Sequence, residues 1–146
     1  MAMQHMSDEA DIRQHLDTLV AAIRAMDLER VMASFAADLV SFDIEPPLRH
    51  VGIDAKRRNW ARVFAAYERP LGYEIRDLAI TVGHDVAFGH SLNRISGTLK
   101  NGQRNASWVR WTVCLRKIES RWLIAHDQVS VPVDFASGTA LLTLEP

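Results

Sequence analysis

The sequence predicts a single α+β domain in which helices pack on a curved antiparallel sheet. Three segments between Ser7 and Tyr67 repeat apolar residues every three or four positions, which is the period of an amphipathic helix. After Gly72 the pattern changes to alternating β-branched and aromatic positions separated by short turns, which is typical of strands. The 146 residues suit one domain with a substantial core and are too few for two ordinary domains.

The N-terminal part of the chain is predicted to form a hairpin of two helices. Ser7 is a suitable N-cap for the first helix, because two acidic residues follow it directly. Asp27 can cap a second, shorter helix that continues to Phe35. The apolar positions that define the two helical faces are Ile12, Leu16, Leu19, Val20 and Ile23, and then Leu28, Val31, Met32 and Phe35.

A short strand and a third helix are predicted next. Leu39–Ile44 has the pattern of a strand, and Pro46 and Pro47 end it because proline suits neither a helix interior nor a central strand. After a loop, the third helix is predicted over Ile53–Tyr67, with Trp60 on its apolar face.

Four long strands are predicted in the second half of the chain, and the turns between them are short enough to require antiparallel hairpins. These strands are about twice the usual length, so the sheet is expected to twist and bend. Gly89 and Gly97 are candidate positions for bulges. The predicted strands are Tyr73–Val82, Val86–Thr98, Asn105–Lys117 and Arg121–Val131.

The composition excludes several functional classes. The chain has 17 Lys and Arg against 18 Asp and Glu, and this net charge of -1 provides no basic surface for a phosphate backbone, so nucleic acid is not an expected partner. Cys114 is the single cysteine, which rules out an intramolecular disulfide and a Cys-based zinc site. The six histidines lack the close spacing of a metal motif, and no metal is expected.

The two ends of the chain differ from its centre. Residues 1–7 are expected to be a disordered leader, since they lack the apolar core of a signal peptide. Residues 8–133 are expected to form the domain, and residues 134–146 a C-terminal tail. No apolar stretch is long enough to span a bilayer, so no membrane contact is expected. The single cysteine favours a reducing, cytoplasmic location.

Four segments of the chain carry a family resemblance, namely Phe35–Asp43, Pro47–Gly52, Asp85–His90 and Trp122–Pro132. With the order of helices and strands, they are similar to the SnoaL-like, ketosteroid-isomerase-related branch of the nuclear transport factor 2-like superfamily. The resemblance implies a cone-shaped, cystatin-like fold with a ligand pocket on the concave face of the sheet. Members include isomerases, polyketide cyclases, dehydratases, hydrolases and non-catalytic association domains, so the resemblance does not select a reaction.

Strand alternation assigns candidate ligand-binding residues to that concave face. His90 and Arg94 share the more apolar face of their strand and are predicted to point inward. Trp111 lies on the apolar face of the next strand, and the resemblance places Asp127 inward on the last strand. Trp60 is predicted to complete the wall. Because buried charges need partners, the polar members either contact a polar ligand group or form a structural ion-pair network.

Asp43 is the leading catalytic candidate. It ends the first strand at the position that resembles the proton-shuttling base of ketosteroid isomerase, where a carboxylate removes a proton beside a carbonyl. Its alternative role is to cap the turn that follows the strand. The family's oxyanion donors fall at about Leu19 and Val113, which cannot donate hydrogen bonds. Steroid isomerisation is therefore not expected unless His90 or Arg94 substitutes.

Two more histidines are candidate ligand-binding residues. His50 follows the Pro-Pro loop and can reach the pocket mouth, although a solvated loop position is the simpler expectation. The alternation points His126 to the outer face of the sheet, away from Asp127. A register shift of one residue would exchange the two and pair Asp43 with His126 instead.

The outer face of the sheet is predicted to form a homodimer, because it carries more apolar surface than a solvated face needs. The residues that support this prediction are Thr112, Cys114, Trp122 and Ile124.

The predicted function is binding of a small, mostly apolar organic molecule, with acid–base chemistry by Asp43 and Asp127 and without a cofactor. This would make the protein an isomerase, a cyclase or a lyase. The alternative is a non-catalytic ligand-binding or oligomerisation module, which the missing oxyanion donors favour. A hydroxylase subunit is less favoured, because the sequence contains no visible iron site.

Overall fold

The computed structural model of the protein describes residues 1–146 and confirms an α+β fold with helices on one side of a curved sheet. No helix in it is both long and apolar enough to cross a membrane. The elements are α1 Ala2–Arg24, α2 Leu28–Met32, β1 Phe35–Phe42, β2 His50–Val51, α3 Ile53–Ala66, β3 Gly72–Val82, β4 Val86–Thr98, β5 Arg104–Ile118, β6 Arg121–Ser130, β7 Val133–Asp134 and β8 Thr139–Ala140.

Six strands form the main sheet in the order β2-β1-β6-β5-β4-β3. The four long strands β3 to β6 pair antiparallel as a meander, which confirms the prediction from their short turns. β1 pairs with β6 in parallel, so the end of β1 lies beside the second half of β6. In that pairing Ser41 lies opposite Asp127. The sheet topology therefore brings the residues around Asp43 close to those around Asp127.

The helix predictions are correct in number but not in every boundary. The first helix begins at Ala2 and not at Ser7, so the residues expected to form a disordered leader continue α1. Asp27 caps α2 as predicted, with its carboxylate accepting a hydrogen bond from the backbone N–H of Arg30 at 3.2 Å. Phe35 starts β1 and does not extend α2, because the helix ends at Met32.

The core lies between the apolar face of α1 and the inner face of the sheet. Ile12, Leu16 and Ile23 on α1 are almost completely buried. They belong to one apolar cluster with Val113 and Leu115 of β5. Burial of each such side chain contributes roughly 1.5–3 kcal/mol. This cluster packs α1 against the inner face of the sheet.

The inner face of β4 is the opposite of the predicted one. In the pairing with β5, Gly89 lies opposite Val113, and directly opposed residues share a face of the sheet. The position favours a small residue, because a Cβ atom on Gly89 would lie only 3.0 Å from the backbone carbonyl oxygen of Ala79, with Cγ1 of Val113 next at 3.4 Å. His90 and Arg94 therefore lie on the outer face, and the prediction that they point inward is wrong.

A bulge at Ala125 reverses the alternation of β6. Leu115 pairs with Ile124, whereas the neighbouring Cys114 pairs with His126, so Ala125 is the extra residue. Residues before and after the bulge can consequently both face inward, although they are an odd number of positions apart. A regular strand does not allow this.

The bulge corrects part of the outer-face prediction. Trp122 and Ile124 lie before the bulge and are buried in the core, so the expectation that they form outer surface is wrong. Asp127 lies after the bulge and is also buried, as expected. Thr112 and Cys114 keep their predicted outward direction, and partial burial raises the pKa of the Cys114 thiol.

Asp8 anchors α1 to the hairpin between β5 and β6. Its carboxylate is only 1% exposed and accepts hydrogen bonds from Nζ of Lys117 at 2.7 Å and from Nε1 of Trp122 at 3.2 Å. The hydrogen bond from Lys117 is the main reason that the pKa of Asp8 is lowered, and it outweighs the opposing effect of burial. The charged form of Asp8 is therefore the one that stabilises the fold.

We predict that Asp8→Asn lowers the free energy of unfolding at pH 7 by about 1–3 kcal/mol, because a buried hydrogen bond between charged groups is lost. Since the pKa of Asp8 is lower in the folded protein, its contribution is present above the ordinary value of 3.8 and disappears as the pH falls through the lowered value. The difference between the wild type and the variant should accordingly shrink in acid. Urea denaturation at neutral and acidic pH measures both effects.

The matched control is Asp11→Asn, which changes an exposed aspartate on the same helix. It should leave the stability nearly unchanged at both pH values. A variant at Asp8 that is as stable as the wild type at pH 7 would contradict the anchoring role.

Candidate functional site

A cavity of about 310 Å³ opens at the wide end of the cone. Of its 20 lining residues 13 are hydrophobic, so most of the wall is apolar. The wall comes from α1, α3 and the long strands, and Leu142 of the C-terminal tail adds to it. A volume of this size is at the lower end of the range of about 300–1,000 Å³ for small-molecule sites. The cavity suits one compact organic molecule.

Lys56 is the centre of the polar part of this cavity. It lies on α3, and its side chain is only 3% exposed. Its Nζ is 3.1 Å from Oδ2 of Asp127 and 3.3 Å from Oδ2 of Asp43, and it donates to Oγ of Ser41 at 3.0 Å. One ammonium group thus joins two carboxylates from β6 and from the end of β1.

The Asp43 carboxylate is held at the border between this cluster and the open cavity. Its Oδ2 accepts hydrogen bonds from Nδ2 of Asn59 at 2.6 Å and from Lys56 at 3.3 Å, and its Oδ1 accepts one from the backbone N–H of Ile44 at 2.8 Å. The side chain is 15% exposed, five times the value for Asp127. The turn contact with Ile44 agrees with the capping role that was the alternative for Asp43.

The Asp127 carboxylate is enclosed more completely. Its Oδ1 accepts a hydrogen bond of 2.5 Å from Ser41, and its Oδ2 accepts one of 3.2 Å from Nε1 of Trp111 in addition to that from Lys56. These bonds satisfy most of the acceptor sites of the carboxylate. Asp127 therefore orients Lys56 and Trp111, and little of it is open to a ligand.

The structure brings four of the predicted site residues to one cavity and separates the other four from it. Asp43, Asp127, Trp60 and Trp111 all lie in the cavity wall. The four that lie elsewhere are His50, His90, Arg94 and His126.

His90 and Arg94 are outside the cavity because the face of β4 is reversed. Arg94 was expected to meet Asp127 or Asp43, but its guanidinium reaches Oγ of Ser96 at 3.5 Å instead. The partner of both carboxylates is Lys56, which was not predicted.

The other two histidines support the backbone outside the cavity. His50 is buried in β2, and its Nε2 lies 3.2 Å from the carbonyl oxygen of Glu45, so it fastens the Pro-Pro loop. His126 points outward, and its Nδ1 lies 2.6 Å from the carbonyl oxygen of Val40. Its ring packs edge-on against Phe42 at a centroid distance of 4.8 Å. The alternative pairing of His126 with Asp43 is therefore wrong.

Three site residues were missed, and two left a signal in the sequence. Lys56 and Asn59 are three positions apart, so they share a helical face with Trp60, and charged or amide groups within an apolar face need polar partners. Ser41 carries no distinctive signal, because serine is common on half-buried strands. Its role follows only from the parallel pairing of β1 with β6.

The fold and the cavity define a cone-shaped α+β domain with a buried cluster of ionisable side chains. The chain belongs to the SnoaL-like domain family, whose model matches residues 12–134. This match confirms the resemblance and places the chain in the nuclear transport factor 2-like superfamily. A comparison with curated proteins gives no significant match.

Several solved structures share the fold. An NTF2-like protein of unknown function from Pseudomonas putida is 28% identical, with a TM-score of 0.87 over 97% of this chain and 98% of that chain. A ketosteroid isomerase-like protein from Erwinia carotovora is 24% identical, with a TM-score of 0.70 over 83% and 93%. A protein proposed to be a scytalone dehydratase, from Novosphingobium aromaticivorans, is 12% identical, with a TM-score of 0.80 over 89% and 87%. The latter two likenesses concern the fold alone.

We predict that Lys56→Met lowers the free energy of unfolding by about 3–5 kcal/mol, because it leaves two carboxylates without their shared cation. Lys100→Met is the matched control, since Lys100 pairs with Glu68 on the surface at 3.6 Å and both side chains are more than half exposed. The control should cost less than about 1 kcal/mol. Equal losses in the two variants, measured by urea denaturation, would show that the cluster is not an energetic centre.

Proposed function

We propose that the protein binds a small, mostly apolar organic molecule in the cone and transfers protons to and from it through Asp43. The observation that carries this proposal is the position of Asp43, a partly exposed carboxylate in the wall of an otherwise largely apolar cavity. A ligand in the cavity would touch Asp43 before any other carboxylate of the Lys56 cluster. Such a carboxylate is suited to general acid–base catalysis.

The hydrogen bonds of Asp43 identify the oxygen atom that can accept a proton. Oδ2 already accepts from Asn59 and Lys56, whereas Oδ1 accepts only from the backbone N–H of Ile44. Each oxygen of a carboxylate has about two acceptor directions, so Oδ1 keeps one free. We propose that Oδ1 removes a proton from a carbon beside a carbonyl group and later returns it to the ligand.

Asp127 and Lys56 would support this step without touching the ligand. Asp127 fixes Lys56, and Lys56 with Asn59 fixes the plane of the Asp43 carboxylate. Such positioning reduces the reorganisation that the proton transfer requires. Proton transfer of this kind needs neither an oxidant nor a reductant, so the proposed reaction requires no cofactor. Isomerisation, cyclisation and elimination all begin in this way.

The alternative proposal is a non-catalytic ligand-binding module, and one observation favours it. Every oxygen of Asp43 and Asp127 has at least one hydrogen-bond partner within the protein. A network of this kind also forms where its only task is to close the wide end of a fold. The two proposals differ in whether proton exchange occurs in a bound ligand.

We predict that the protein catalyses deuterium exchange at the carbon beside the carbonyl of a cyclic ketone, with 1-tetralone as the probe and NMR as the measurement. Asp43→Asn should slow this exchange about 100-fold or more, since the general base is lost. The variant should stay folded with a modestly lower melting temperature, because asparagine keeps one acceptor oxygen for Asn59 and Lys56 still pairs with Asp127.

Asp38→Asn serves as the matched control, because Asp38 is an exposed carboxylate that pairs with Arg116 outside the cavity. It should exchange the probe at the wild-type rate. A wild-type protein that binds the ketone but exchanges it no faster than Asp43→Asn would refute the catalytic proposal and support the binding module.

We further propose a homodimer formed through the outer face of the sheet. With Trp122 and Ile124 in the core, the apolar surface of this face comes from Val86 and Phe88 of β4, which are 55% and 50% exposed. Phe42 of β1 adds a third large side chain that is 40% exposed. Apolar side chains that cluster on one sheet face are typical of a subunit interface.

We predict that the wild type sediments as a dimer at micromolar concentration and that Phe88→Glu sediments as a monomer, because a buried unpaired charge opposes association. Leu48→Glu is the control, since Leu48 is 95% exposed in the Pro-Pro loop and away from this face. It should sediment like the wild type. A monomeric wild type would contradict the proposal.

A further inference from the structure

A groove on the outer face of the sheet differs in character from the cavity on the inner face. It is lined by residues of the segments 68–72, 94–98 and 104–106, and we call it the outer groove. These segments are the connection between α3 and β3 and the facing ends of β4 and β5. Only one of its 11 lining residues is hydrophobic. Its volume of about 690 Å³ is within the range for small-molecule sites.

Three arginines line the outer groove, and none of them forms an ion pair with a carboxylate. Arg69 lies in the connection before β3, and Arg104 begins β5. Arg94 lies on β4 and is half-buried. A charged group that is partly removed from water is unfavourable unless a partner compensates it. The outer groove therefore holds positive charge that this chain does not neutralise.

The two nearby glutamates do not remove this excess. Glu68 is the one acidic residue among the lining residues, and it pairs with Lys100 at 3.6 Å. Glu74 lies opposite Arg94 in the pairing of β3 with β4 but forms no ion pair with it. The local excess of positive charge exists although the net charge of the chain is -1. The outer groove is consequently suited to an anion.

The floor of the outer groove is a notch around Ser96. Its neighbours across the sheet are Gly72 on β3 and Ala106 on β5, so no long side chain covers its hydroxyl. A Cβ atom on Gly72 would overlap with Oγ of Ser96. This Oγ lies 3.5 Å from Nη1 of Arg94, and Thr98 adds a second hydroxyl on the same face of β4. The notch thus combines hydroxyl donors with a guanidinium group.

Two arginines at this end of the sheet are held in place by backbone carbonyl groups. Nη1 of Arg69 donates to the carbonyl oxygen of Ala25 at 2.5 Å. Nε of Arg24 donates to that of Tyr73 at 2.8 Å, and Arg24 lines a depression that adjoins the outer groove at Gly72. Each guanidinium has five N–H donors, so both keep donors for a ligand. Side chains that are already positioned lose less conformational freedom when a ligand binds.

We propose that the outer groove binds a phosphate group, with Arg94, Arg104 and Ser96 as its main contacts. A phosphate monoester carries nearly two negative charges at neutral pH and three strong acceptor oxygens. Guanidinium groups match these oxygens in bidentate pairs, and hydroxyl donors occupy the acceptor directions that remain. A carboxylate has only two oxygens and one charge, so it uses fewer of these donors. The donor set of the outer groove therefore fits a phosphate group best.

The phosphate group has two possible sources, a polar phosphate ester and free phosphate. The volume and the polar lining leave space for a hydrophilic organic part beside the phosphate, which favours the ester. This inference goes beyond the proposed function and does not depend on it, because Asn105 is the only residue that lines both the outer groove and the cavity. Val86 and Phe88, which support the proposed dimer, lie at the other end of β4.

The experiment is an isothermal titration with glucose 6-phosphate, inorganic phosphate and glucose at neutral pH and constant ionic strength. Glucose 6-phosphate should bind the wild type at least about ten times more tightly than glucose, because only the ester makes charged hydrogen bonds. Inorganic phosphate separates the two sources. Weaker binding than that of the ester supports an ester, equal binding supports the free ion, and both results support the site.

Variants of the outer groove test the assigned contacts. Arg94→Gln and Arg104→Gln should each weaken the binding of glucose 6-phosphate about tenfold, because each removes charged hydrogen bonds. Arg104 is exposed, so its variant should fold even if Arg94→Gln is unstable. Gly72→Ala changes no charge, but it should weaken binding about threefold or more, because the methyl group fills the notch.

Arg110→Gln is the matched control, because Arg110 is an exposed arginine of the same sheet face that contacts Oγ of Ser130 at 3.1 Å, outside the outer groove. It removes the same charge and should leave the affinity within about twofold. Equal losses in Arg110→Gln and Arg104→Gln would show a diffuse positive field and overturn the inference. Equal affinities for glucose and glucose 6-phosphate would overturn it as well, and unchanged binding in Gly72→Ala would reject the notch as the binding position.

Discussion

The ion pair of Lys56 with two carboxylates is the constraint on which the site depends. An ammonium group whose side chain is 3% exposed is costly to bury, and it is tolerated because Asp43, Asp127 and Ser41 surround it. These partners come from β1 and β6, whereas Lys56 comes from α3. The helix therefore cannot move relative to the sheet without separating charges. The ion pairs hold α3 to the sheet, and apolar packing holds α1 to it.

The cavity consists of an apolar wall and one polar corner, which is formed by Lys56, Asp43 and Asp127. This division explains how a single scaffold can serve different reactions. Under the proposed function, the apolar wall would set the size of the ligand, and the corner would fix which of its atoms can react. In this chain, the corner uses lysine to connect its carboxylates.

The sequence was sufficient to predict the elements whose periodicity is regular. It was insufficient to predict which face a side chain occupies where the strand is locally irregular. The helices and the four long strands follow from spacing alone, as does the inward direction of Trp111. The faces of β4 could not be chosen correctly, because small residues such as Gly89 point inward and Phe88 points outward. Hydrophobicity favours the reverse assignment, and the observed one is evident only from the pairing of Gly89 with Val113.

The candidate site, like the fold, was predictable only in part. The resemblance led to Asp43 and Asp127, but the residue that joins them lies on a different element and no pattern connects the three. The Ala125 bulge is equally invisible in the sequence, because alanine suits a regular strand. It explains why Trp122 and Asp127 both point inward, which strict alternation forbids.

The bulge also determines how this part of the chain tolerates changes in length. The inward side chains of β6 face the core before Ala125 and the cavity after it. The bulge allows both sets to point inward, although they follow opposite alternations. Removing or adding one residue between Ile124 and Asp127 would expose one set of side chains to solvent and place the other set where it has no room. The number of residues between Ile124 and Asp127 is therefore fixed by the contacts on both sides of the bulge.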